Sequence, residues 1–206
     1  MHKTDWFHKK RWGVFVHYLY GVYNKPESPH NMGKGETGWD ECINDFDVEL
    51  FAKQLADVNC GYLMITLTQN SKYLMAPNET FDRITGYEPG EACSKTDFVL
   101  KLYDALSKYN IDLFLYFTGD GPSSDPIASK AFGSITHGAP KPQVNTEFVR
   151  KWASVAEEYS RRYGDKVKGW WIDGIYEYIG YDKERLTIMA DALRAGNPNT
   201  LVATNY

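Results

Sequence analysis

The stretch KVKGWWIDG, residues 166–174, decides the fold of this chain. It is a short apolar run between two longer amphipathic stretches, residues 145–164 and 183–198. A short apolar run between helical patterns is typical of a buried strand in a parallel sheet. The run ends on Asp173, and a carboxylate at the tip of a buried strand is costly unless it is paired, hydrated or put to use. The stretch therefore predicts a strand whose last residue has a partner or a function.

The same alternation of short apolar and longer amphipathic stretches runs through the whole chain. It predicts five strands (residues 13–18, 61–68, 111–118, 166–173 and 200–206) and four intervening helices (residues 45–59, 95–110, 145–164 and 183–198). We expect helix starts at Thr96 and at Asn145 or Thr146, and helix ends at Gly164 and Gly196. Apolar strands that alternate with helices predict an α/β fold whose parallel sheet is covered on both faces.

Two topologies fit this order, an open doubly wound sheet and a (β/α)8 TIM barrel. The first loop, residues 17–36, lacks the glycine spacing of a dinucleotide site, and the long loops after strands one and three suit a barrel. An eight-fold barrel usually takes about 250 residues, whereas this chain has 206 and stops on its fifth strand. We therefore predict one domain, residues 1–206, that holds about the first five β/α units of a TIM-type barrel and is a truncated or partial chain.

Composition argues against several classes of partner. The net charge is −4, and no basic face stands out, which predicts no nucleic-acid partner. No uninterrupted run of 18 apolar residues is present, which predicts no membrane span. The first residues, MHKTDWFHKKRWG, lack the apolar run of a signal peptide. As written the protein is expected to be cytoplasmic, or periplasmic or secreted if an export segment precedes it.

Neither the cysteines nor the histidines have the spacing of a metal site. Cys42, Cys60 and Cys93 form no CxxC or Cys/His pattern, and their odd number argues against a disulfide framework. The five histidines do not pair with carboxylates at ligand spacing. We therefore expect no metal and no cofactor, while the oligomeric state stays open. The chain is rich in aromatic residues, which suit a packed core and also the apolar faces of sugars.

Polar residues stand at the end of every predicted strand. They are His17, Thr68 to Asn70 (including Gln69), Thr118 to Asp120, Asp173, and Asn205. Parallel strands bring their carboxyl ends to one mouth, so these residues predict a polar ligand pocket. Alternatives stay open for each of them: His17 as a core histidine, Gln69 and Asn70 as a turn, and Asp173 as a structural carboxylate. Trp39, in a glycine-rich loop, is a candidate for substrate binding or for loop anchoring.

Four segments together resemble the alpha-L-fucosidase family of glycoside hydrolases. They are WFHKKRWGVFVHYLYGVY (6–23), FDVELFAKQLADVNCGYLMITLTQN (46–70), SKTDFVLKLYDALSKYNIDLFLYFT (94–118) and GWWIDG (169–174). The resemblance runs in order from about Trp6 to Tyr206. It implies a retaining glycosidase on a barrel, with a carbohydrate substrate. It also implies that Asp173 is the catalytic nucleophile, that His17 holds sugar hydroxyls and that Trp171 lines the pocket.

The chain departs from the family pattern at the second and third strands. Fucosidases carry a His-His pair where this chain has Gln69 and Asn70, and their tyrosine pair is Tyr116-Phe117 here. Amides bind sugar hydroxyls but do not carry a proton near neutral pH. The resemblance is therefore to a divergent branch, with the sugar and the anomer left open. The complete set of predicted substrate-binding residues is His17, Trp39, Gln69, Asn70, Tyr116, Trp171 and Asn205.

The second carboxyl group of a retaining glycosidase is not identified by the sequence. A retaining mechanism uses two carboxyl groups roughly 5–5.5 Å apart, one as nucleophile and one as acid/base. Glu177 and Asp120 are both weak candidates for the acid/base, because neither is positioned by a pattern. Two main functions therefore stay open, a glycoside hydrolase acting through Asp173 and a non-catalytic carbohydrate-binding barrel that lacks the proton donor. A barrel enzyme of another hydrolytic type is a third and weaker alternative.

Overall fold

The computed structural model of the protein describes residues 4–29, 31, 35–133 and 144–205. One sheet holds the strands β1 (Gly13–Val16), β2 (Tyr62–Thr66), β3 (Asp112–Thr118), β4 (Val167–Asp173) and β5 (Leu201–Thr204). The helices of these residues are α1 (Asp5–His8), α2 (Trp39–Asp45), α3 (Val48–Asp57), α4 (Glu79–Thr85), α5 (Phe98–Ser107), α6 (Pro126–Phe132), α7 (Thr146–Tyr163) and α8 (Lys183–Arg194). All five predicted strands are confirmed, although Tyr206, the predicted end of the fifth, lies outside the described residues. The four predicted helices correspond to α3, α5, α7 and α8.

The five strands lie side by side in chain order, and all four neighbouring pairs are parallel. A doubly wound sheet needs a reversal of strand order, and this sheet contains none. Right-handed crossovers that always advance in one direction leave their helices on one face of the sheet. The open doubly wound alternative therefore does not describe this chain. Within the described residues β1 and β5 each pair on one side only, so closure into a barrel stays a prediction.

The core lies between the helices and one face of the sheet, which we call the helix face. It carries the fully buried side chains of Leu63, Ile65, Leu115 and Phe117. Trp152 of α7 stacks on Phe117, with ring centroids 4.7 Å apart, and its indole N–H donates to the carbonyl of Thr118 at 2.6 Å. Burial of one such large apolar side chain contributes about 1.5–3 kcal/mol. This packing fixes the strand ends that carry the candidate site.

The opposite face, which we call the open face, carries Phe15, Met64, Phe114, Tyr116 and Trp171. Near the amino ends of the strands the short helix α1 covers part of it, so that Phe114 is buried. At the edge strand, Phe15 is 48% exposed. The expectation of a sheet covered on both faces is thus wrong within the described residues, because every long helix lies on the helix face.

Helices that pack against the sheet begin with a side-chain cap. Asn145 starts α7 as predicted, with its side chain accepting from the Phe148 amide at 2.8 Å. The predicted start at Thr96 is wrong, because the cap of α5 is Asp97, whose carboxylate accepts from the Leu100 amide at 3.0 Å. Both residue types cap helices well, and a spacing of one residue is beyond what the pattern resolves.

Four short helices, α1, α2, α4 and α6, escape prediction because four to seven residues are too few to show a helical period. Two of them nevertheless carry start signals. Asp125 caps α6 with Pro126 at its first position, and Asn78 caps α4. The three cysteines are buried and unbridged. Among the described residues no helix has the length and apolar character that crossing a bilayer requires.

Candidate active site

Asp173, the last residue of β4, lies at the centre of a hydrogen-bonded cluster. Its Oδ2 accepts from the Tyr116 hydroxyl at 2.6 Å. Its Oδ1 accepts from the Gly174 amide at 2.7 Å, from the Tyr176 hydroxyl at 3.4 Å, and from the side-chain amide of Asn205. Four donors from three consecutive parts of the fold, β3, the end of β4 and the end of β5, thus converge on one carboxylate.

These donors favour the ionised form of Asp173. Partial burial removes water from the carboxylate and by itself raises the pKa of Asp173. The hydrogen bonds from the tyrosines, the amide side chain and the backbone act in the opposite direction, and the pKa of Asp173 is lowered below its ordinary value. Asp173 is therefore an anion across the physiological pH range.

Strand register explains how Tyr116 reaches Asp173. Tyr116 of β3 is paired with Trp171 of β4, and Thr118 is paired with Asp173, so all four side chains belong to the open face. Asp173 is followed by Gly174 at φ +75°, where a side chain would be strained and would sit 3.5 Å from a carboxylate oxygen of Asp120. Glycine at this position lets the chain turn sharply and direct its amide N–H back to Asp173.

Tyr116 is buried and acts as a fixed hydrogen-bond donor. Desolvation raises the pKa of Tyr116 far above its ordinary value, and the bond to Asp173 raises it further. A hydrogen bond with the side chain of Gln69 has a smaller effect in the opposite direction. The phenol therefore keeps its proton at any physiological pH and stabilises the negative charge of Asp173.

His17 lies beside this cluster and is exposed. Its ring packs edge-on against Tyr116, with centroids 5.1 Å apart, and in a tilted arrangement against Phe15, with centroids 4.6 Å apart. Desolvation lowers the pKa of His17, against an opposing effect of the Asp173 charge. The imidazole is therefore largely neutral near pH 7, with one nitrogen able to donate and the other to accept. The alternative of a buried core histidine does not hold, because the side chain is exposed.

Asn70, Thr118 and Asp120 form a second polar cluster next to the first. The Thr118 hydroxyl lies within hydrogen-bond distance of two acceptors, Asn70 Oδ1 at 3.0 Å and Asp120 Oδ1, between which its one proton is shared, and the Asn70 amide donates to Asp120 Oδ2 at 3.0 Å. Asn70 has a φ of 55°, in the left-handed region that asparagine tolerates better than most residues. These contacts link the ends of β2 and β3 and make Asn70 a turn residue as well as a candidate ligand.

Of two further predicted residues, Asn205 and Trp39, one lies in the Asp173 cluster and the other lies outside it. Asn205 belongs to the Asp173 cluster, where its Oδ1 also accepts from the Gly174 amide at 3.1 Å. Trp39 is 7% exposed, and its indole N–H donates to the carbonyl of Leu74 at 2.8 Å. The structure thus buries Trp39 in the core outside the Asp173 cluster. A cavity of about 340 Å³, lined by Trp39, Tyr20 and Tyr73 among others, lies beside it.

Sequence reasoning missed Tyr176 and the amide of Gly174. Tyr176 Oη contacts Asp173 Oδ1 and also accepts from Asn205 Nδ2 at 2.8 Å. The signal available was weak, an aromatic residue three positions beyond a strand end. Among the residues that the structure describes, no group of three or more His, Cys, Asp or Glu side chains could hold a metal ion.

Comparison with solved structures finds the same fold in glycoside hydrolases. The endo-fucoidan hydrolase MfFcnA4 from glycoside hydrolase family 107 aligns over 98% of this chain and 33% of its own, with a TM-score of 0.67 and 16% identity. An alpha-L-fucosidase GH29 from Bacteroides thetaiotaomicron aligns over 97% of this chain and 47% of its own, with a TM-score of 0.63 and 21% identity.

A further structure of a fucosidase from the same bacterium is a trapped covalent intermediate in complex with 2-fluoro-fucosyl fluoride, with a TM-score of 0.62 and 20% identity. It aligns over 95% of this chain and 47% of its own. The chain thus spans between a third and a half of these structures, and at such identities the likeness establishes the fold. No protein-family profile and no curated protein sequence matches the chain.

Proposed function

We propose that this chain is part of a glycoside hydrolase in which Asp173 is the nucleophile of a retaining mechanism. The observation that carries the proposal is the set of four hydrogen bonds that keep Asp173 ionised at the end of β4. A nucleophilic carboxylate has to be an anion with one oxygen open toward the sugar. The likeness to fucosidases and fucoidan hydrolases supports a TIM-type barrel and a sugar substrate related to theirs.

The contacts of Asp173 also favour one of its two oxygens as the reacting atom. Oδ1 accepts three hydrogen bonds among the described residues, whereas Oδ2 accepts one, from Tyr116. A carboxylate oxygen with fewer donors keeps more of its electron pair for a new bond. Oδ2 would attack the anomeric carbon, the bond to the leaving oxygen would break, and that oxygen would take a proton from an acid. Water would then hydrolyse the glycosyl ester.

The other predicted residues would bind the sugar around this carbon. The neutral imidazole of His17 can both donate to and accept from hydroxyl groups, and the indole of Trp171, on the same face as Tyr116, can contact an apolar sugar face. Gln69, Asn70 and Asn205 supply amide groups at the same edge of the sheet. For Trp39 a role in substrate binding would have to use the adjoining cavity, because its N–H already has a partner.

Chemical rescue of Asp173→Gly tests the nucleophile. Glycine leaves a space in which azide can attack an activated aryl glycoside, displace the phenolate and form a glycosyl azide of inverted anomeric configuration. We expect loss of turnover on a panel of aryl glycosides, including the α-L-fucoside, and return of phenolate release with azide. The matched control, Asp165→Gly, changes an exposed carboxylate just before the amino end of β4. Wild-type turnover by Asp173→Gly without azide would contradict the assignment.

A non-catalytic carbohydrate-binding protein is the second candidate, and the contacts of Asp120 favour it. Asp120 is the carboxylate next to the site, and its contacts with Asn70 and Thr118 engage both of its oxygens. The contact with Asn70 makes Asp120 an acceptor, whereas an acid catalyst has to present a proton. Calorimetry and turnover assays on the wild type separate the two functions. Binding of a sugar without turnover of any glycoside in the panel would support this second candidate.

A further inference from the structure

The loop that follows β4 carries two stacked tyrosines. The rings of Tyr176 and Tyr178 are nearly parallel, with an interplanar angle of 11° and centroids 5.1 Å apart. Tyr178 is 74% exposed, the largest exposed fraction among the large hydrophobic side chains of the described residues. A single exposed aromatic ring is ordinary, but a ring held against a second one has a fixed orientation.

This loop is anchored on both sides of Tyr178. Ile175 and Ile179 are buried. The hydroxyl of Tyr181, also buried, donates to the carbonyl of Gly119 at 2.6 Å, and the amide of Val144 donates to the carbonyl of Ile179 at 2.5 Å. Ordering of a loop during binding is a major cost of association, and a loop that is already anchored avoids most of it.

The inner ring of the pair connects directly to the candidate active site. The Tyr176 hydroxyl lies 3.4 Å from Asp173 Oδ1 and accepts from Asn205 Nδ2 at 2.8 Å. Tyr178 stacks on the ring that contacts Asp173, with centroids 5.1 Å apart, and so lies next to the candidate active site. A pyranose ring is about as wide as an aromatic ring, and the C–H groups of one sugar face suit stacking on an aromatic surface.

We propose that Tyr178, backed by Tyr176, is a stacking subsite for a second sugar ring linked to the one that reacts at Asp173. The substrate is then an oligosaccharide or polysaccharide rather than a monosaccharide glycoside. The proposal rests on the proposed function, since it extends the same site. It assigns Tyr178 the role of a specificity-determining residue that contacts the substrate but takes no part in bond cleavage.

Substitution of Tyr178 tests this subsite. For Tyr178→Ala, the ratio of kcat/KM for an oligosaccharide to kcat/KM for the aryl glycoside of the same sugar should fall roughly 5–10-fold, the range expected for loss of one aromatic stacking contact. Tyr178→Phe keeps the ring and should restore the ratio. Tyr109→Ala is the matched control, because Tyr109 is 43% exposed and precedes the amino end of β3. A ratio that does not change, whether kcat/KM falls equally on both substrates or on neither, would overturn the proposal.

Binding measurements keep this test independent of catalysis. Calorimetry of Asp173→Asn with the same oligosaccharide reads the subsite without turnover, with and without Tyr178→Ala. Weaker binding on loss of Tyr178 supports the subsite even if azide rescue of Asp173→Gly fails. Equal affinity for the oligosaccharide with and without Tyr178 would overturn the subsite even if azide rescue succeeds.

Discussion

At the scale of single residues, the pairing of Tyr116 with Asp173 is the feature with the clearest chemical consequence. The phenol is buried, its pKa is raised so that it keeps its proton, and it lies 2.6 Å from Oδ2. A hydrogen bond to a charged group contributes about 1.5–3 kcal/mol. In the proposed mechanism this bond both holds the carboxylate in place and helps to lower the pKa of Asp173.

Tyr116→Phe should therefore shift the pH dependence of catalysis. Loss of the donor raises the pKa of Asp173, and since the nucleophile has to be ionised, the acidic limb of kcat/KM against pH should move to higher pH. We also expect roughly 10-fold lower kcat/KM at pH 7. The control is Tyr62→Phe, which changes a tyrosine of β2 that packs against Phe7. An acidic limb in the same place as in the wild type would contradict the role of Tyr116.

Asp82 of α4 offers a second test at this scale, one of stability. Desolvation raises its pKa to about 6, against a hydrogen bond with the Cys93 side chain that lowers it, and among the described residues its buried Oδ1 has no hydrogen-bond partner. Because the folded pKa lies above the unfolded value, the contribution of Asp82 to stability is fully present below about pH 4 and is lost as the pH rises through about 6. Asp82→Asn should raise the free energy of unfolding at pH 8 by about 1 kcal/mol, a figure reduced for partial exposure.

Thermal unfolding of Asp82→Asn at pH 4.5 and pH 8 measures this effect. The gain in melting temperature should be clear at pH 8 and small at pH 4.5. Asp191→Asn, at an exposed position on α8, serves as the control and should leave the melting temperature unchanged at both pH values. A gain of the same size at both pH values would show that the pKa of Asp82 is not the cause.

At the scale of elements, Asn78 joins α4 to α7. Its Oδ1 caps α4 by accepting from the Phe81 amide at 2.8 Å, and its Nδ2 donates to the carbonyl of Val155 at 3.1 Å. The side chain is fully buried. It therefore fixes a short helix that would be marginal alone against the longest helix of the described residues.

Asn78→Ala should lower the free energy of unfolding by more than the loss of a helix cap alone would. We expect about 2–3 kcal/mol in the free energy of unfolding by urea, because a cap contributes about 1 kcal/mol and the buried contact to α7 is also lost. Asn145→Ala, an exposed cap of α7, is the matched control and should cost about 1 kcal/mol. Equal costs for the two variants would mean that the contact with Val155 adds nothing.

At the scale of the whole molecule, the protection of backbone amides from hydrogen exchange should depend on the position of each strand in the sheet. β3 is paired on both sides and nearly all of it is buried, whereas among the described residues β1 is paired only with β2 and none of its residues is fully buried. Local opening costs least where few buried contacts are lost. Hydrogen exchange followed by mass spectrometry should therefore show the slowest exchange in β3 and clearly faster exchange in β1. Similar rates in the two strands would contradict this gradient.

The sequence predicts the strands and their polar ends because an apolar run that stops on a polar residue is a local signal. Asp173 and Asn205 are predicted in this way, Tyr116 is predicted through the family resemblance, and the three side chains do come together. Contacts that depend on the path of a loop leave no such signal. Tyr176 reaches Asp173 only because of the turn at Gly174, and Trp39 is buried because the loop after β2 presents the Leu74 carbonyl to its indole.

The unbroken order of the strands has a consequence for how the chain folds. Among the described residues every strand pairs with strands that directly precede or follow it in the chain, so none of these four pairings has to wait for a distant segment. Contacts between nearby parts of a chain form faster than distant ones because less loop entropy is lost. Each of these β/α units can then add to the previous one as it leaves the ribosome.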